Sequence, residues 1–361
     1  MGSRHQKVGR MLRASSNYQL TALFCCLGVM LLAGCTTSSA STTFAACTTT
    51  AGPACAVGAG ATNLQLFIEP DDGVRPITDA IRAAQHSIWV EIYILTDTTV
   101  LSTLEDAANR GVDVRVMLEP HPVGSSPVSV QSTLEKLKVA GIKVSQSNPA
   151  FQLTHAKFML LDNTTLFLLT ANLSKAALGG SKNGTNREYL LEDNEATDVQ
   201  EATTIFTADW NRATPALSDP NLIVSPINSR IKLLALIDSA QSSLQIENEE
   251  MQDTQLENAL TQAARRGVSI QVVLPAPSGS PDSNAAGVVL LRQAGISVRE
   301  DSKLYIHAKM MIIDGLRAYV GSENISTASL DQNRELGLIV AAPDIIQMLE
   351  ATFMTDYTAS Q

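Results

Sequence analysis

Two short segments of the sequence carry residue types that can do chemistry on a phosphate ester. They are THAKFMLLDNTTLFLLTANLS (154–174) and IHAKMMIIDGLRAYVGSENIS (306–326), and both contain the spacing His-x-Lys-x4-Asp. The residues at this spacing are His155, Lys157 and Asp162 in the first segment and His307, Lys309 and Asp314 in the second. An imidazole can attack phosphorus or protonate a departing alcohol oxygen, and an ammonium group can hold the non-bridging oxygens. The two segments together therefore predict a phosphoryl-transfer site in which one histidine attacks and the other protonates.

Each segment also predicts a β-hairpin that gathers these groups at one end of a sheet. Residues i and i+2 of a strand point to the same face, so each histidine is expected to project with its lysine. The Asp-Asn and Asp-Gly pairs at 162–163 and 314–315 are turn formers, after which the chain is expected to run back antiparallel. The return strands should bring Asn172 and Asn324, each seventeen residues after its histidine, close to the imidazoles. We expect both asparagines to hold phosphate oxygens and both aspartates to brace the hairpins.

This doubled pattern resembles the phospholipase D superfamily, whose two HKD motifs read His-x-Lys-x4-Asp and are usually followed by Gly-Ser-x-Asn. The second motif fits fully, with Gly321, Ser322 and Asn324. The first motif departs, because Leu169 and Thr170 stand where Gly-Ser is expected. The resemblance covers residues 64–350.

The resemblance implies metal-independent phosphodiester chemistry through a covalent phosphohistidine, finished by water or by another alcohol. It implies that His155 is the nucleophile and His307 the general acid, although the symmetry of the motifs permits either order. Thr170 and Ser322 are then expected to offer hydroxyl groups to the phosphate. No cofactor and no metal site are predicted.

A further pair of matching segments supplies two carboxylates. TNREYLL (185–191) and QNRELGL (332–338) place Glu188 and Glu335 at equivalent positions. The resemblance implies that each carboxylate hydrogen-bonds a catalytic histidine, which fixes the tautomer and supports an imidazolium. Which glutamate serves which histidine stays open, and the alternative interpretation is a surface Arg–Glu ion pair.

The elements that must position these residues come from a tandem duplication. AIRAAQHSIWVEIYIL (80–95) matches LIDSAQSSLQIENEEM (236–251), LEDAANRGVDVRVMLEP matches LTQAARRGVSIQVVLPA, and KVAGIKV matches RQAGISV. Amphipathic helices alternating with apolar strands predict parallel or mixed sheets covered by helices on both faces. We therefore expect an α/β protein of two tandem α/β/α sandwich domains, over 63–216 and 217–361, related by a pseudo-twofold axis. The resemblance implies that they have the phospholipase D fold.

The N-terminal 35 residues read as a separate segment. Four basic residues precede an apolar run that ends in Leu-Ala-Gly-Cys at Cys35, which resembles the lipobox of bacterial lipoproteins. We expect residues 1–35 to be a lipoprotein signal peptide with Cys35 as the lipidated residue, and residues 36–62 to be a flexible tether. An uncleaved membrane anchor is the alternative. Either arrangement places the protein in the bacterial cell envelope outside the cytoplasm, where Cys47 and Cys55 could form a disulfide.

The charge of the chain bears on the choice of substrate. The formal net charge is −10, and loss of the four basic residues in the signal segment would lower it to −14. Such acidity disfavours a long polyanion, because non-specific nucleic-acid binding depends on lysine and arginine. Together with a lipid anchor, it favours phospholipid and a membrane surface as partners. We expect a monomer, because one chain contains both motifs.

Several functions fit these observations. Our first prediction is a phospholipase D-type enzyme that hydrolyses phospholipid head groups or exchanges them for other alcohols. The alternatives are a cardiolipin-synthase-like phosphatidyl transferase and a nuclease-type phosphodiesterase, with nucleic acid the less favoured partner. A non-catalytic binding lipoprotein is disfavoured, since it would not need two imidazoles at matching positions.

Acidic residues outside the motifs are interpreted more simply. Glu91 and Glu247 recur at matching positions and are taken as polar residues at strand ends. The acidic run at 247–250 is weak evidence for a metal site, because no histidine is spaced on the same element.

Overall fold

Two mixed β-sheets, each covered by helices, form the described part of the protein. The computed structural model describes residues 46–123, 127–181, 185–277 and 281–361. The predicted signal peptide, Cys35 and the first part of the predicted tether lie outside these residues. The expectation of two tandem α/β domains is confirmed.

The first sheet comes almost entirely from the first half of the chain. Its strands are β1 (Leu64–Glu69), β2 (Ser87–Ile92), β3 (Asp113–Leu118), β4 (Lys143–Gln146), β5 (Lys157–Leu161), β6 (Thr165–Leu169) and β7 (Asn186–Asp193). They lie in the order β1-β7-β6-β5-β2-β3-β4, parallel from β2 to β4 and antiparallel elsewhere. The helices of this half are α1 (Arg75–Ala83), α2 (Thr98–Asn109), α3 (Pro127–Val139) and α4 (Ala196–Trp210).

The second half repeats this plan. Its strands are β8 (Leu222–Ser225), β9 (Ser243–Asn248), β10 (Ser269–Pro275), β11 (Ser297–Asp301), β12 (Tyr305–Ile306), β13 (Lys309–Ile313), β14 (Arg317–Gly321) and β15 (Glu335–Val340). The helices are α5 (Ser229–Ser239), α6 (Thr254–Arg265), α7 (Ala285–Gln293), α8 (Thr327–Asp331) and α9 (Pro343–Ala359). The sheet order is β11-β10-β9-β13-β14-β15-β8, which matches the first sheet strand for strand. β12 is the exception, because it pairs in parallel with β7 of the first sheet.

The two predicted hairpins are present as β5–β6 and β13–β14, both antiparallel. Their tips adopt positive φ at two successive residues, Asp162 (52°) and Asn163 (55°) in one and Asp314 (56°) and Gly315 (65°) in the other. Asp, Asn and Gly tolerate this left-handed backbone, which the tight turn requires. One detail of the prediction is wrong. Each strand begins at the lysine, so the histidines lie just outside the sheet.

One hydrophobic cluster contains residues of both halves, beside one further cluster in each half. Phe158 and Phe206 of the first half belong to the same buried cluster as Met310 and Phe353 of the second. All four side chains are at most 1 % exposed. Burial of each such side chain contributes about 1.5–3 kcal/mol, so the halves form a single packed body. Residues of both halves can therefore contribute to one site.

The prediction of a flexible tether does not hold for residues 46–62. Cys47 and Cys55 form a disulfide, and the backbone N–H groups of Cys47 and Gly58 donate to carbonyls of Ile227 and Pro220. Ala61 is buried and pairs with Val340 at the end of β15. The small residues that suggested flexibility are needed for close contact instead, since a Cβ on Gly58 would lie 2.1 Å from Asn221 Oδ1.

Among the described residues, no helix combines the length and apolar character needed to cross a bilayer.

Candidate active site

Each motif histidine lies on a segment that crosses to the other half of the protein. The backbone N–H groups of His155 and Ala156 both donate to the carbonyl oxygen of Arg334, at 2.8 Å. In the same way, Tyr305 and Ile306 pair with residues 186–187 of β7, and the N–H of His307 donates to the carbonyl of Arg187. The two histidine segments are therefore held by the segments that carry the predicted carboxylates.

Because of this crossing, each motif histidine faces a carboxylate that belongs to the other half of the chain. Nδ1 of His155 lies 2.9 Å from Oε2 of Glu335, and Nδ1 of His307 lies 2.8 Å from Oε1 of Glu188. Both carboxylates are fully buried, whereas the imidazoles keep 12 % and 9 % of their side-chain surface exposed. With Nδ1 facing a carboxylate, Nε2 of each ring is the nitrogen available to a substrate.

The buried carboxylates are held in the ionised form by their neighbours. Glu335 accepts hydrogen bonds from Ser329 Oγ (2.6 Å) and Asn333 Nδ2 (3.1 Å), and Glu188 accepts from Thr170 Oγ1 (2.7 Å) and Asn186 Nδ2 (3.0 Å). Burial acts to raise the pKa of both carboxyls. The adjacent histidines, lysines and hydroxyl donors outweigh it and leave each pKa below its usual value.

Burial also lowers the pKa values of the lysine and the histidine of the first motif. Lys157 is fully buried, and its ammonium donates to the carbonyl of His155 at 2.6 Å. Burial lowers the pKa of Lys157 to about 7. Burial likewise lowers the pKa of His155 to about 4, although Glu335 acts to raise it. At neutral pH His155 is therefore an uncharged imidazole with a free lone pair.

The second motif has a carboxylate beside its lysine and histidine, whereas the first motif has a tyrosine there. The sequence interpretation did not assign this carboxylate to the site. Oε2 of Glu249 lies 2.9 Å from Lys309 Nζ and 3.4 Å from both His307 Nε2 and Asn324 Nδ2. In the first half the matching position of the repeat holds Tyr93, whose ring makes an edge contact with His155 at 4.6 Å. The Lys157 ammonium lies 5.4 Å from the centre of that ring.

Asn324 lies at the site, where its amide nitrogen contacts Glu249, whereas the expected nearness of Asn172 to His155 stays a prediction. The amide oxygens of Asn172 and Asn324 are both buried, and neither has a hydrogen-bond partner within the described part of the chain. The backbone N–H of Asn324 donates to Ser329 Oγ, which itself donates to Glu335. The second asparagine is thus connected to the carboxylate of the opposite histidine. Direct contact of either asparagine with phosphate remains a prediction.

The predicted phosphate-binding hydroxyls lie behind the carboxylates. Thr170 and Ser322 are fully buried. Thr170 Oγ1 accepts the N–H of Tyr189, and Ser322 Oγ accepts the N–H of Leu336, in each case the residue after the glutamate. Both hydroxyls therefore fix the strand that carries a carboxylate, and phosphate binding by them stays a prediction.

The departure of the first motif from Gly-Ser has a packing explanation. In the second half, a Cβ on Gly321 would lie 2.6 Å from Oε2 of the buried Glu323 and 2.7 Å from the hydroxyl of Tyr319. Tyr319 donates a 2.7 Å hydrogen bond to Glu323, so the glycine makes room for this pair. The matching positions of the first half hold Leu169, with Phe167 and Ala171 in place of the Tyr–Glu pair, and all three are buried in the core. The first motif can carry a leucine because it has no such pair to accommodate.

The arginines beside the carboxylates are buried and do not form surface ion pairs with them. Arg187 pairs with Asp356 of α9, and Arg334 pairs with Asp209 of α4 at 2.7 Å. Both ion pairs join one half of the protein to the other. Sequence interpretation missed the two aspartates, although Asp209 and Asp356 are separated by 147 residues, the same spacing as Glu188 and Glu335. Extending the repeat to the segments FTADW and FMTDY would have found them.

The structure also describes the other acidic residues that the sequence analysis considered, which are the two motif aspartates and two strand glutamates. The Asp162 carboxylate accepts N–H groups of residues 85–87 at 2.7–2.8 Å, so it ties the hairpin tip to the start of β2. Asp314 does the same at residues 241–243. Burial acts to raise its pKa, but these donors lower it to about 2. Glu91 and Glu247 lie at strand ends, as predicted, next to the last residue of β2 and of β9. Both are fully buried, burial raises both pKa values, and Glu247 accepts a hydrogen bond from Tyr189.

Over the described ranges, no group of three or more His, Cys, Asp or Glu side chains is arranged to hold a metal ion.

Comparisons with known proteins agree with this architecture. The family model described as "Cardiolipin synthase, PLD-like domain" matches residues 77–210 and 233–357. The cardiolipin synthase of Geobacillus sp. (strain WCH70) is 26% identical over 341 residues, which cover 82% of this chain and 66% of that protein. This chain therefore spans slightly under two thirds of the length of that relative.

Two solved structures share the fold. The phosphatidylserine synthase of Haemophilus influenzae Rd KW20 superposes with a TM-score of 0.65 and 10% identity, covering 84% of this chain and 88% of that one. The polyphosphate kinase of Porphyromonas gingivalis has a TM-score of 0.62 and 18% identity, covering 81% of this chain and 50% of the kinase. At these identities the likeness concerns the fold alone.

Proposed function

Because the chain belongs to the family described as "Cardiolipin synthase, PLD-like domain", we propose that it is a phosphatidyl transferase that works through a phosphohistidine. The observation that supports this most directly is the pair of imidazoles, each with Nδ1 on a buried, ionised carboxylate and Nε2 left for substrate. The cardiolipin synthases among its relatives favour the phosphatidyl transferase that was an alternative in the sequence analysis. They give less support to the first prediction, a phospholipase D-type enzyme that hydrolyses or exchanges head groups. Phosphatidylglycerol is the proposed donor and also the proposed acceptor.

In the first half-reaction, Nε2 of His155 attacks phosphorus and the bond from phosphorus to the glycerol oxygen breaks. His155 suits this role because its imidazole is neutral above a pH of about 4. The charge that the ring gains on forming the N–P bond is balanced by Glu335 at 2.9 Å. His307 gives its Nε2 proton to the departing glycerol oxygen. Its ring suits the proton donor, since Glu188 and Glu249 place carboxylate oxygens near both of its nitrogens.

In the second half-reaction, a hydroxyl of a second phosphatidylglycerol returns a proton to His307 and attacks phosphorus. The N–P bond breaks and His155 regains its lone pair. One phosphodiester is formed for each one broken, so the exchange needs no other source of energy. The ammonium groups of Lys157 and Lys309 hold the non-bridging oxygens in both steps.

The test uses the full-length protein reconstituted in phosphatidylglycerol vesicles. We expect cardiolipin and free glycerol in equal amounts, and loss of both in His155→Ala and in His307→Ala. His86→Ala removes an exposed histidine at the far end of β2 and serves as the matched control. Phosphatidate without cardiolipin would make the enzyme a hydrolase. Cleavage of single-stranded DNA with lipid untouched would move the substrate to nucleic acid.

We further propose that the protein acts at the bacterial envelope, anchored by a lipid on Cys35. Mass spectrometry of the mature N-terminus tests this, with Cys35→Ser as the control variant. A mature chain that retains residues 1–34 in both proteins would contradict the lipid anchor and leave the enzymatic proposal unaffected.

A further inference from the structure

One carboxylate lies among the donors that a phosphoryl group would need. Oε2 of Glu249 accepts hydrogen bonds from Lys309 Nζ at 2.9 Å and Asn324 Nδ2 at 3.4 Å, and lies 3.4 Å from His307 Nε2. Its other oxygen, Oε1, accepts a 2.8 Å hydrogen bond from the hydroxyl of Tyr305. One oxygen therefore lies where a phosphate oxygen could bind, and the other is held by a tyrosine that is 40% exposed.

The two halves of the repeat differ at this point. Glu249 follows β9 at the position where Tyr93 follows β2. In the first half the neutral Tyr93 ring therefore stands beside the motif lysine and histidine. The lysine and histidine of the first motif thus lie beside a neutral ring, whereas those of the second motif lie beside a carboxylate.

The charge balance of the site supports the same interpretation. When all three are protonated, Lys157, Lys309 and the proton donor His307 carry three positive charges, which the three negative charges of Glu188, Glu335 and Glu249 already balance before any phosphate binds. Burial acts to raise the pKa of Glu249, but His307 and Lys309 outweigh it and hold the pKa well below its usual value. The carboxylate is therefore ionised throughout the working pH range.

We propose that Glu249 is a built-in competitor for the substrate phosphate, which a phosphodiester displaces from Lys309, Asn324 and His307 when it binds. This rests on the proposed use of these donors by a phosphoryl group. Once displaced, Glu249 still lies close to the phosphate, and its repulsion is about twice as large for a dianion as for a monoanion. The residue thereby favours a phosphodiester over inorganic phosphate or a phosphomonoester.

The test measures binding of inorganic phosphate to the full-length protein by calorimetry at pH 8. Glu249→Gln removes the charge at nearly constant shape, and Glu249→Tyr copies the residue of the first half. Because a charge-assisted contact and a repulsion are both removed, we expect phosphate to bind at least about tenfold more tightly to either variant. The KM for the diester bis(p-nitrophenyl) phosphate should change by a smaller factor than the dissociation constant of phosphate.

Glu250→Gln is the matched control, because it removes one negative charge next in sequence from a side chain that is not bonded to Lys309. Unchanged phosphate affinity in both Glu249 variants would overturn the proposal, and so would an equal gain in Glu250→Gln. Thermal unfolding confirms that each variant is folded, and the two Glu249 substitutions give independent chances of a folded protein. Since phosphate binding needs no turnover, tighter binding without cardiolipin formation would sustain this proposal while refuting the transferase.

Discussion

Replacing one carboxylate at a time should separate the roles of the two histidines. Glu335→Gln removes the counter-charge from His155, and Glu188→Gln removes it from His307. The attraction between two unit charges 2.9 Å apart is about 6 kcal/mol at an effective dielectric constant of about 20. The glutamine amide keeps a hydrogen bond, so we expect a net loss of about 2–4 kcal/mol. That loss corresponds to a fall of about 30- to 900-fold in kcat/KM.

Two substrates distinguish attack from proton donation. Phosphatidylglycerol must lose a strongly basic alkoxide, which needs a proton, whereas bis(p-nitrophenyl) phosphate loses a stable phenolate that does not. If His155 is the nucleophile, Glu335→Gln should slow both substrates by a similar factor. If His307 is the proton donor, Glu188→Gln should slow phosphatidylglycerol by the full factor and the nitrophenyl ester by less than about tenfold.

Glu192→Gln is the matched control, because this carboxylate lies on β7 with Glu188 but near the opposite end of the strand. It should leave kcat/KM for both substrates within about twofold of the wild-type value. The reverse pattern for Glu188 and Glu335 would give the nucleophile's role to His307. Equal losses on both substrates in both variants would refute the division of roles altogether.

Three further outcomes follow from the structure. Because burial lowers the pKa of His155 to about 4 and that of Lys157 to about 7, kcat/KM should fall as the pH drops through about 4 and as it rises through about 7, measured in a quenched nitrophenyl-ester assay. Asp209→Asn removes the buried carboxylate that pairs with the Arg334 guanidinium and should cost about 3–5 kcal/mol of unfolding free energy, measured by urea denaturation. Gly337→Ala would place a Cβ 2.5 Å from the ring of Tyr319 and should cost about 1–3 kcal/mol in the same assay.

Matched controls make these outcomes specific. Lys138→Ala removes an exposed ion pair and should change the unfolding free energy by at most about 1 kcal/mol. Gly180→Ala places its Cβ no closer than 3.7 Å to any neighbour and should be nearly neutral. A pH profile that is flat between 4 and 9 would contradict the assignment of His155 and Lys157. An Asp209→Asn variant as stable as Lys138→Ala would show that Arg334 finds another counter-charge.

Much of the fold could be predicted from sequence because each half of the repeat contains the same signals for helices, strands and turns. Matching helices, strands and turn residues in the two halves predicted two similar sheets, and Asp162 and Asp314 were correctly placed at hairpin tips. The positions of Thr170 and Ser322 near the site also followed from the motif. Their burial behind Glu188 and Glu335 did not, because it depends on how β6 and β14 pack against β7 and β15.

The pairing of histidines with carboxylates could not be predicted, for a physical reason. A symmetric repeat gives each histidine two equivalent carboxylates, and periodicity does not say which of them is nearer in space. The choice is made by the crossing segments at residues 154–156 and 305–307, which pair with β7 or with the residues before β15 of the other half. Glu249 was considered only as part of the acidic run 247–250 and was not assigned to the site. Its counterpart Tyr93 is chemically different, so the repeat does not mark their common position.

The exchange of carboxylates between the halves also fixes when the enzyme can first become active during its synthesis. His155 is made early, but its partner Glu335 follows 180 residues later. Arg187, which precedes Glu188 in the chain, forms an ion pair with Asp356. Asp356 lies on α9, so this ion pair also forms late. Although the first half can begin to fold as it emerges from the ribosome, it has no complete catalytic pair of its own. A chain that is still being made therefore has no complete set of two imidazole–carboxylate pairs until β15, which carries Glu335, has been added and has folded.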